Sequence, residues 1–569
     1  MQTRFRIPLL TAVCILLLAS CTKTNKQGRF IPKDAAIAVH LDGASLSSKL
    51  PWDEIKQNVL FQKMNSDTTI PAFVKKALDN PDNSGIDTKS DLAFFMQQDS
   101  LGGIVGITGT IKDAEKFKLF CIDVTEGGSQ TDKDGISFIS RSPMCVGWNK
   151  ERFLFIINST EFDQQRYMHQ PDATPKSRDL LVACKNIFDV TESNSLGDNE
   201  KFTALVKKTG DLHFWMNSEE LYKNGLNNPA LAMLKLDNLY KGSFTAAAVN
   251  FENGKIVMDA KSYAGKEMTE LYKKYGGKNI DEDMIKRIPS KDVAALFAMS
   301  FKPEGIKEFL KLLGVEGYAN MGLAFVGFSM DDFIKANKGD VLFALTDFKK
   351  GKSDTMTVDE NGSITMHHEL FPVMPDILFA TSIGDKESFN LLIKAGEKLG
   401  KNLPAGTTPP VSYKSDGKYF AISNSPENTE NYIAGKATNN FDFLSKLSGN
   451  PVGGYINIQF ILKAFASNFE RDSSAKVLYD ASIKMWDNAY MKGGKYEDGG
   501  ISQYAEVNLM DKNINSLKQL NLYLGLVSKL KMESDKKHKV EDLRDVRMEE
   551  IVDSVASAIP PPSPAKKHK

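Results

Sequence analysis

Cysteine is scarce: five residues in a chain of 569. That excludes a disulfide scaffold, and no two of them stand as CxxC, which argues against a zinc or thioredoxin-like site. Histidine occurs seven times without an HExxH. No GxSxG elbow is present. Gly103, Gly106 and Gly109 are spaced unlike GxGxxG, and they lie in a strand pattern where a phosphate cradle needs a loop before a helix. Net charge is absent too, with 72 Lys+Arg against 72 Asp+Glu, so there is no electrostatic footprint for nucleic acid. Beyond the N-terminus no apolar run approaches the 18 residues of a membrane span. The sequence therefore offers no catalytic residue, no metal ligand and no cofactor motif, and the reading leans away from an enzyme.

What is present begins with an address. Residues 1–20 read as a signal peptide: Arg4 and Arg6, an apolar stretch from Ile7 to Ala19, then small residues. Leu18-Ala19-Ser20-Cys21 has the form of a bacterial lipobox, whose Cys thiol takes a diacylglyceryl group before cleavage. Cys21 is the expected lipidation site, and two or three acyl chains hold a soluble body durably where one alone is marginal. Residues 21–30 form a polar, basic tether with Lys23 and Lys26. Those lysines stand where acidic residues would favour surface export, so the expected location is a Gram-negative cell envelope, lipid-anchored and facing the periplasm, with surface exposure as the alternative.

Internal similarity is the strongest signal in the mature chain. Ile31-Pro32-Lys33-Asp34 opens one stretch and Ile288-Pro289-Ser290-Lys291-Asp292 another. Ile111, Asp113, Glu115 and Phe117 match Ile383, Asp385, Glu387 and Phe389. Trp148, Glu151 and Phe155 match Tyr413, Asp416 and Phe420. Phe202, Leu205, Gly210 and Asn217 match Phe441, Leu444, Gly449 and Asn457. Glu252-Asn253-Gly254 resembles Glu497-Asp498-Gly499, both hairpin turns between strand-like runs. The preserved order predicts an α+β fold of two tandem halves, each of two βαββα units of split βαβ, ferredoxin-like type. The units are expected at 31–200 and 201–287, then at 288–440 and 441–532. The fourth is expected to be eroded, with a single clear strand at 501–509. Lys349–Leu370 reads as an inserted hairpin around Asn361-Gly362, and 533–569 as a charged disordered tail.

Individual residues carry modest expectations. His367-His368 is the one histidine cluster, but neighbours on a strand point to opposite faces, so a solvated hairpin is expected. His40 and His213 open strands and read as structural. Cys121 aligns with Ile393 and reads as a buried hydrophobe, with no disulfide among Cys121, Cys145 and Cys184. Trp52, Trp148, Trp215 and Trp486 read as packing residues. Thr68, Ser100, Thr355 and Ser554 each follow Asp in an Asp-Ser/Thr pattern that is a candidate for O-glycosylation, Thr355 in the exposed hairpin being the best placed.

The lipobox, the IPKDA opening at 31–35 and the ending NLMDKNINSLKQLNLYL at 508–524 together resemble an uncharacterised lipoprotein family of Bacteroides-type bacteria, domain of unknown function 4836. The resemblance covers nearly the whole mature chain and implies an envelope lipoprotein, without any activity to carry onto a residue. The favoured reading is a non-catalytic binding or scaffold protein, attached to the membrane through Cys21 and partnered by an envelope protein or glycan. The alternatives are an envelope hydrolase with a dispersed site between the halves, or a lipoprotein chaperone. A deep cleft with perturbed titratable groups would favour the enzyme; an open apolar patch would favour binding.

Overall fold

The computed structural model describes residues 28–66, 75, 79–87, 90–99, 101–158, 178–223, 234–349, 353–358, 364–369, 373–401, 411–469 and 473–532. Cys21, Thr68, Ser100, Ser554, the Asn361-Gly362 turn and the 533–569 tail lie outside them. The first ten strands are β1 (Ile37–Leu41), β2 (Leu92–Asp99), β3 (Gly102–Thr110), β4 (Ser129–Lys133), β5 (Ile136–Arg141), β6 (Met144–Trp148), β7 (Arg152–Asn158), β8 (Leu212–Asn217), β9 (Phe244–Glu252) and β10 (Lys255–Tyr263). The next ten are β11 (Val293–Ser300), β12 (Asn337–Lys349), β13 (Ser353–Val358), β14 (Ile364–Glu369), β15 (Met374–Ile383), β16 (Ser412–Ser415), β17 (Tyr419–Ser423), β18 (Val452–Ile456), β19 (Trp486–Glu497) and β20 (Gly500–Leu509).

Helices α1 (Gly43–Lys49), α2 (Trp52–Lys56), α3 (Val59–Ser66), α4 (Ala114–Val124), α5 (Leu180–Phe188), α6 (Glu200–Val206), α7 (Ser218–Tyr222), α8 (Asp237–Tyr240) and α9 (Lys266–Tyr275) accompany the first ten strands. Helices α10 (Glu282–Lys286), α11 (Glu304–Leu312), α12 (Glu316–Phe325), α13 (Met330–Ala336), α14 (Lys386–Lys401), α15 (Pro426–Ile433), α16 (Leu444–Leu447), α17 (Ile458–Ala464) and α18 (Ser473–Met485) follow. A last helix, α19, covers 516–532.

Eighteen strands form one sheet; β13 and β14 pair separately. Its spatial order is β4-β5-β6-β7-β3-β2-β1-β8-β9-β10-β20-β19-β18-β11-β12-β15-β17-β16, antiparallel at every step. The α+β class holds. The split βαβ detail does not: β1 and β2, joined through helices, are adjacent and antiparallel, whereas a split unit separates its helix-linked strands. The fourth unit is not eroded either, since β18, β19 and β20 pair antiparallel in succession, with two register shifts between β19 and β20. The boundary expected at 200/201 falls on the first turn of α6.

Local chemistry sets the elements. Asp113 caps α4 by accepting from Lys116 N at 3.0 Å, and Asp385 accepts from Ser388 N at 2.8 Å at the start of α14; each satisfies an orphan donor of the first turn. The β19–β20 turn places Asp498 and Gly499 at φ 49° and 80°, the left-handed pair that a tight hairpin needs. Gly106 lies within β3, where a Cβ would come within 2.1 Å of the Phe95 ring. The glycine run is thus a packing device.

Two hydrophobic cores flank the N-terminal strands. One gathers Phe117, Phe120 and Cys121 of α4 against Trp148, Phe153 and Phe155. The other sets α5 and α6 against Trp215, Ala246 and Ala248. On the C-terminal strands, Met284, Ile285, Tyr432, Ile433, Leu444 and Leu447 seal one face by covering Leu296, Ala298, Leu342, Ala344, Leu378 and Ala380. A smaller cluster packs Phe328, Ala336, Phe389 and Phe420 near the opposite face, with Leu323 and Val326 against it.

Candidate binding face

Among the described residues, the sheet face opposite the sealed core carries a row of partly exposed large apolar side chains. β11 runs Val293 to Ser300 with Leu296 and Ala298 buried and Phe297 open, and β12 repeats this with Leu342, Phe343 and Ala344. Registry lines these residues up. Met491 lies across from Gly454, Gly454 from Phe297, Phe297 from Phe343 and Phe343 from Phe379. A second row runs Ala489, Ile456, Ala295, Leu345 and Ile377. Side-chain alternation puts both rows on one face. Phe297, Phe343, Ile377, Ile456 and Met491 are 36 %, 38 %, 39 %, 46 % and 44 % exposed. Neither row contains a charged or hydrogen-bonding side chain.

Helices bound this floor. α13 and α14 pack together at one side, and Phe420 and Ile383 of the sheet enter their cluster. α17 contacts β11 and β19, and Phe460 and Phe465 meet Phe348 of β12 with ring centroids 5.4 and 5.5 Å apart. α12 adds a further apolar stripe, Tyr318, Met321 and Phe325, at helical spacing and 55 %, 67 % and 78 % exposed.

Three polar constellations elsewhere among the described residues hold internal hydrogen bonds. A groove of about 500 Å³ lies among Lys33, Asp34, Gln97, Asn186, Asn217 and Glu220. Gln97 donates to Asp34 at 2.7 Å, and Asn217 accepts from Glu220 N at 3.3 Å. Asp211 is fully buried and accepts from Lys49 Nζ at 2.7 Å, Ser45 Oγ at 2.5 Å and Phe251 N at 2.6 Å. Glu506, on β20, accepts from Tyr504 Oη at 2.8 Å, Tyr490 Oη at 3.1 Å and Lys255 Nζ at 3.3 Å. Burial raises its carboxyl, but these bonds and the lysine charge outweigh that and hold it below the usual range.

The residues singled out from sequence are placed as follows. His40 and His213 face each other on β1 and β8, Nδ1 to Nδ1 at 3.0 Å. Asp91 lies 3.2 Å from His40 Nε2, and the Lys208 carbonyl lies 3.0 Å from His213 Nε2. Burial lowers the His213 imidazole from its ordinary value, and the neighbouring His40 adds to this. Cys121, Cys145 and Cys184 are free and buried. Burial pushes the Cys121 thiol up, and the Cys184 thiol, hydrogen-bonded to Cys145 and buried, is pushed up as well. Trp148 and Trp215 are buried in the two N-terminal cores. Thr355 lies on β13 across from His367 on β14, and His368 across from Asp354. Among the described residues no group of three or more His, Cys, Asp or Glu is arranged to hold a metal ion, and no helix is long and apolar enough to cross a membrane.

The apolar face itself was missed from sequence. VAALFAMS, VLFALT and ILFATSI are near-continuous apolar runs, which read as strands buried on both sides. Here one side stands open.

The chain is thus a mixed α+β protein with one long antiparallel sheet and a partly exposed apolar face. The chain belongs to the family described as a domain of unknown function (DUF4836), whose model matches residues 28–344. None of the curated proteins matches it. Two crystal structures of TP0453, forms IV and I, align at 10 % and 11 % identity with a TM-score of 0.23 each. They cover 44 % of this chain and 79 % and 78 % of their own. A score that low carries no structural or functional argument.

Proposed function

We propose that this protein is a non-catalytic binding protein of a Gram-negative cell envelope, of Bacteroides type, anchored through lipid on Cys21 and facing the periplasm. Its two tandem halves share one sheet, and the apolar face of β18, β11, β12 and β15 is its binding surface. The observation that carries the reading is that face: contiguous Phe, Ile and Met side chains stand 36–46 % exposed above a sealed core. Contiguous exposed apolar patches of a few hundred Å² are often functional. The enzyme alternative loses ground because the buried carboxylates of Asp211 and Glu506 are each satisfied by structural partners.

The test is photocrosslinking in cells, with a photoreactive residue at Phe343 or Met491 and a control at Glu192. Adducts at the first two positions and none at the third are expected. The absence of adducts at Phe343 and Met491 sinks the binding surface.

A further inference from the structure

We infer that the occupant of this face is the fatty acyl chain of a single envelope lipid, an inference that rests on the binding reading above. Three observations point there. The floor strands β18, β11, β12 and β15 are each paired on both sides, so they offer no backbone edge. An extended peptide lying on them would leave its own N–H and C=O groups without partners. A hydrocarbon chain has none to satisfy.

Charge points the same way. From Met491 across to Phe379, and from Ala489 across to Ile377, the rows carry no charge and no hydrogen-bonding side chain. Their complement is an uncharged surface that asks for none.

Area separates a lipid from a second copy or a protein partner. The two phenylalanines carry roughly 150–250 Å² each and the two isoleucines and the methionine less, so exposures of 36–46 % offer at most about 400 Å² of open apolar surface. A stable protein interface buries ~800 Å² per partner, twice that. Length fits a single chain. The row from Met491 to Phe379 crosses four strand spacings, about 19 Å at ~4.8 Å each. One acyl chain spans half of a ~30 Å hydrocarbon core, roughly 15 Å.

The test uses the purified mature protein with palmitate carrying a diazirine on its chain, and with lysophosphatidylcholine carrying the same chain. Saturable labelling, displaced by unlabelled palmitate, is expected on the peptides bearing Phe297, Phe343 and Met491. The two probes should bind within a few-fold of one another, because the face reads the chain and not the head. Affinity should rise roughly two-fold per methylene from decanoate to palmitate, half the fully buried effect on the logarithmic scale. Met491→Ser and Phe343→Glu should each weaken binding about ten-fold or more with the melting transition retained. Should Phe343→Glu unfold the protein, the label map on the wild type and Met491→Ser still decide. Labelling confined to Tyr318 and Phe325, no saturable labelling, or binding that depends on the head group overturns the acyl proposal. If adducts in cells persist at Phe343 while palmitate fails to label, the acyl chain is wrong and the binding face stands. If both fail, both readings fall.

Discussion

Asp259 of β10 lies directly across the sheet from Tyr504 of β20. The two are 245 positions apart, the interval that also separates Ile256 from Ile501 after the Asn-Gly and Asp-Gly turns. If the Asn-Gly and Asp-Gly hairpins are taken as counterparts, as the tandem-duplication reading has it, the two strands meet antiparallel, centred on the matching pair, which is the geometry of a two-fold contact. The helices repeat the exchange. α9, following β10, packs on α11. α19, following β20, packs on the start of the chain, with Asn58 Nδ2 donating to the Asn521 carbonyl at 2.6 Å and Lys518 to Glu54 at 2.5 Å.

That symmetry leads to a prediction about the isolated N-terminal part. Residues 28–287 on their own would expose the whole β10 edge, an unpaired row of backbone donors and acceptors. They should dimerise through β10, with Asp259 opposite Asp259 of the second copy. Light scattering across micromolar concentrations measures this, and Ala260→Pro should shift the equilibrium to monomer. A fragment that stays folded and monomeric at every concentration speaks against the tandem-dimer reading.

Much of the local structure was legible in the sequence, because it depends on neighbours along the chain. β9, β10 and α9 follow from alternation, an Asn-Gly turn and helical spacing, and the shared Asp113 and Asp385 prove to be N-caps. β19 was not legible: WDNAYMKGGKYE holds a central Lys-Gly-Gly-Lys break and no β-branched residue, and it is a strand because β18 and β20 pair it on both sides. The open face was hidden for a related reason. Phe297 and Phe343 sit in runs that look buried on both sides, and whether a helix covers them is decided by residues far away in sequence.

His213 supplies a pH dependence. Its imidazole is lowered in the folded state, first by burial and also by His40. The unfolded chain takes up its proton near pH ~6.5, so the stabilisation tied to neutral His213 is present above that pH. It is lost as pH falls through the lower folded value. The melting temperature should drop between pH 7.5 and 5, and His213→Gln should flatten that limb. An unchanged pH slope in His213→Gln excludes this residue as the cause.

Glu506 behaves in the opposite chemical sense but with the same direction of pH effect. Its folded carboxyl is depressed, so its contribution is present above the unfolded value of ~4.3 and is lost on acidification through the folded one. Its side chain is 7 % exposed and holds Lys255 of the adjoining strand. Glu506→Gln should cost about 1–3 kcal/mol, the range for a buried hydrogen-bonded charge. Chemical denaturation at pH 7 reads this directly, and a variant as stable as the parent removes the network from the list of forces joining β10 to β20.

Attachment to the membrane is the prediction on which the cellular role turns. Six residues separate Cys21 from Gly28, where the described body begins with its Gly28 carbonyl bonded to Ile31 N at 3.1 Å. Seven residue steps reach at most ~25 Å, so acyl chains on Cys21 would hold the body close against the bilayer. Among the described residues no helix is long and apolar enough to cross a membrane. Cys21→Ser should move the protein from the membrane pellet to the soluble fraction, with its melting temperature unchanged. Mass spectrometry of the wild-type N-terminal peptide should show diacylglyceryl-modified Cys21, with or without a third chain on its amine. A Cys21→Ser protein that still sediments with membranes would mean that the apolar face or the α12 stripe provides the attachment. The lipobox reading would then be wrong, whatever the face binds.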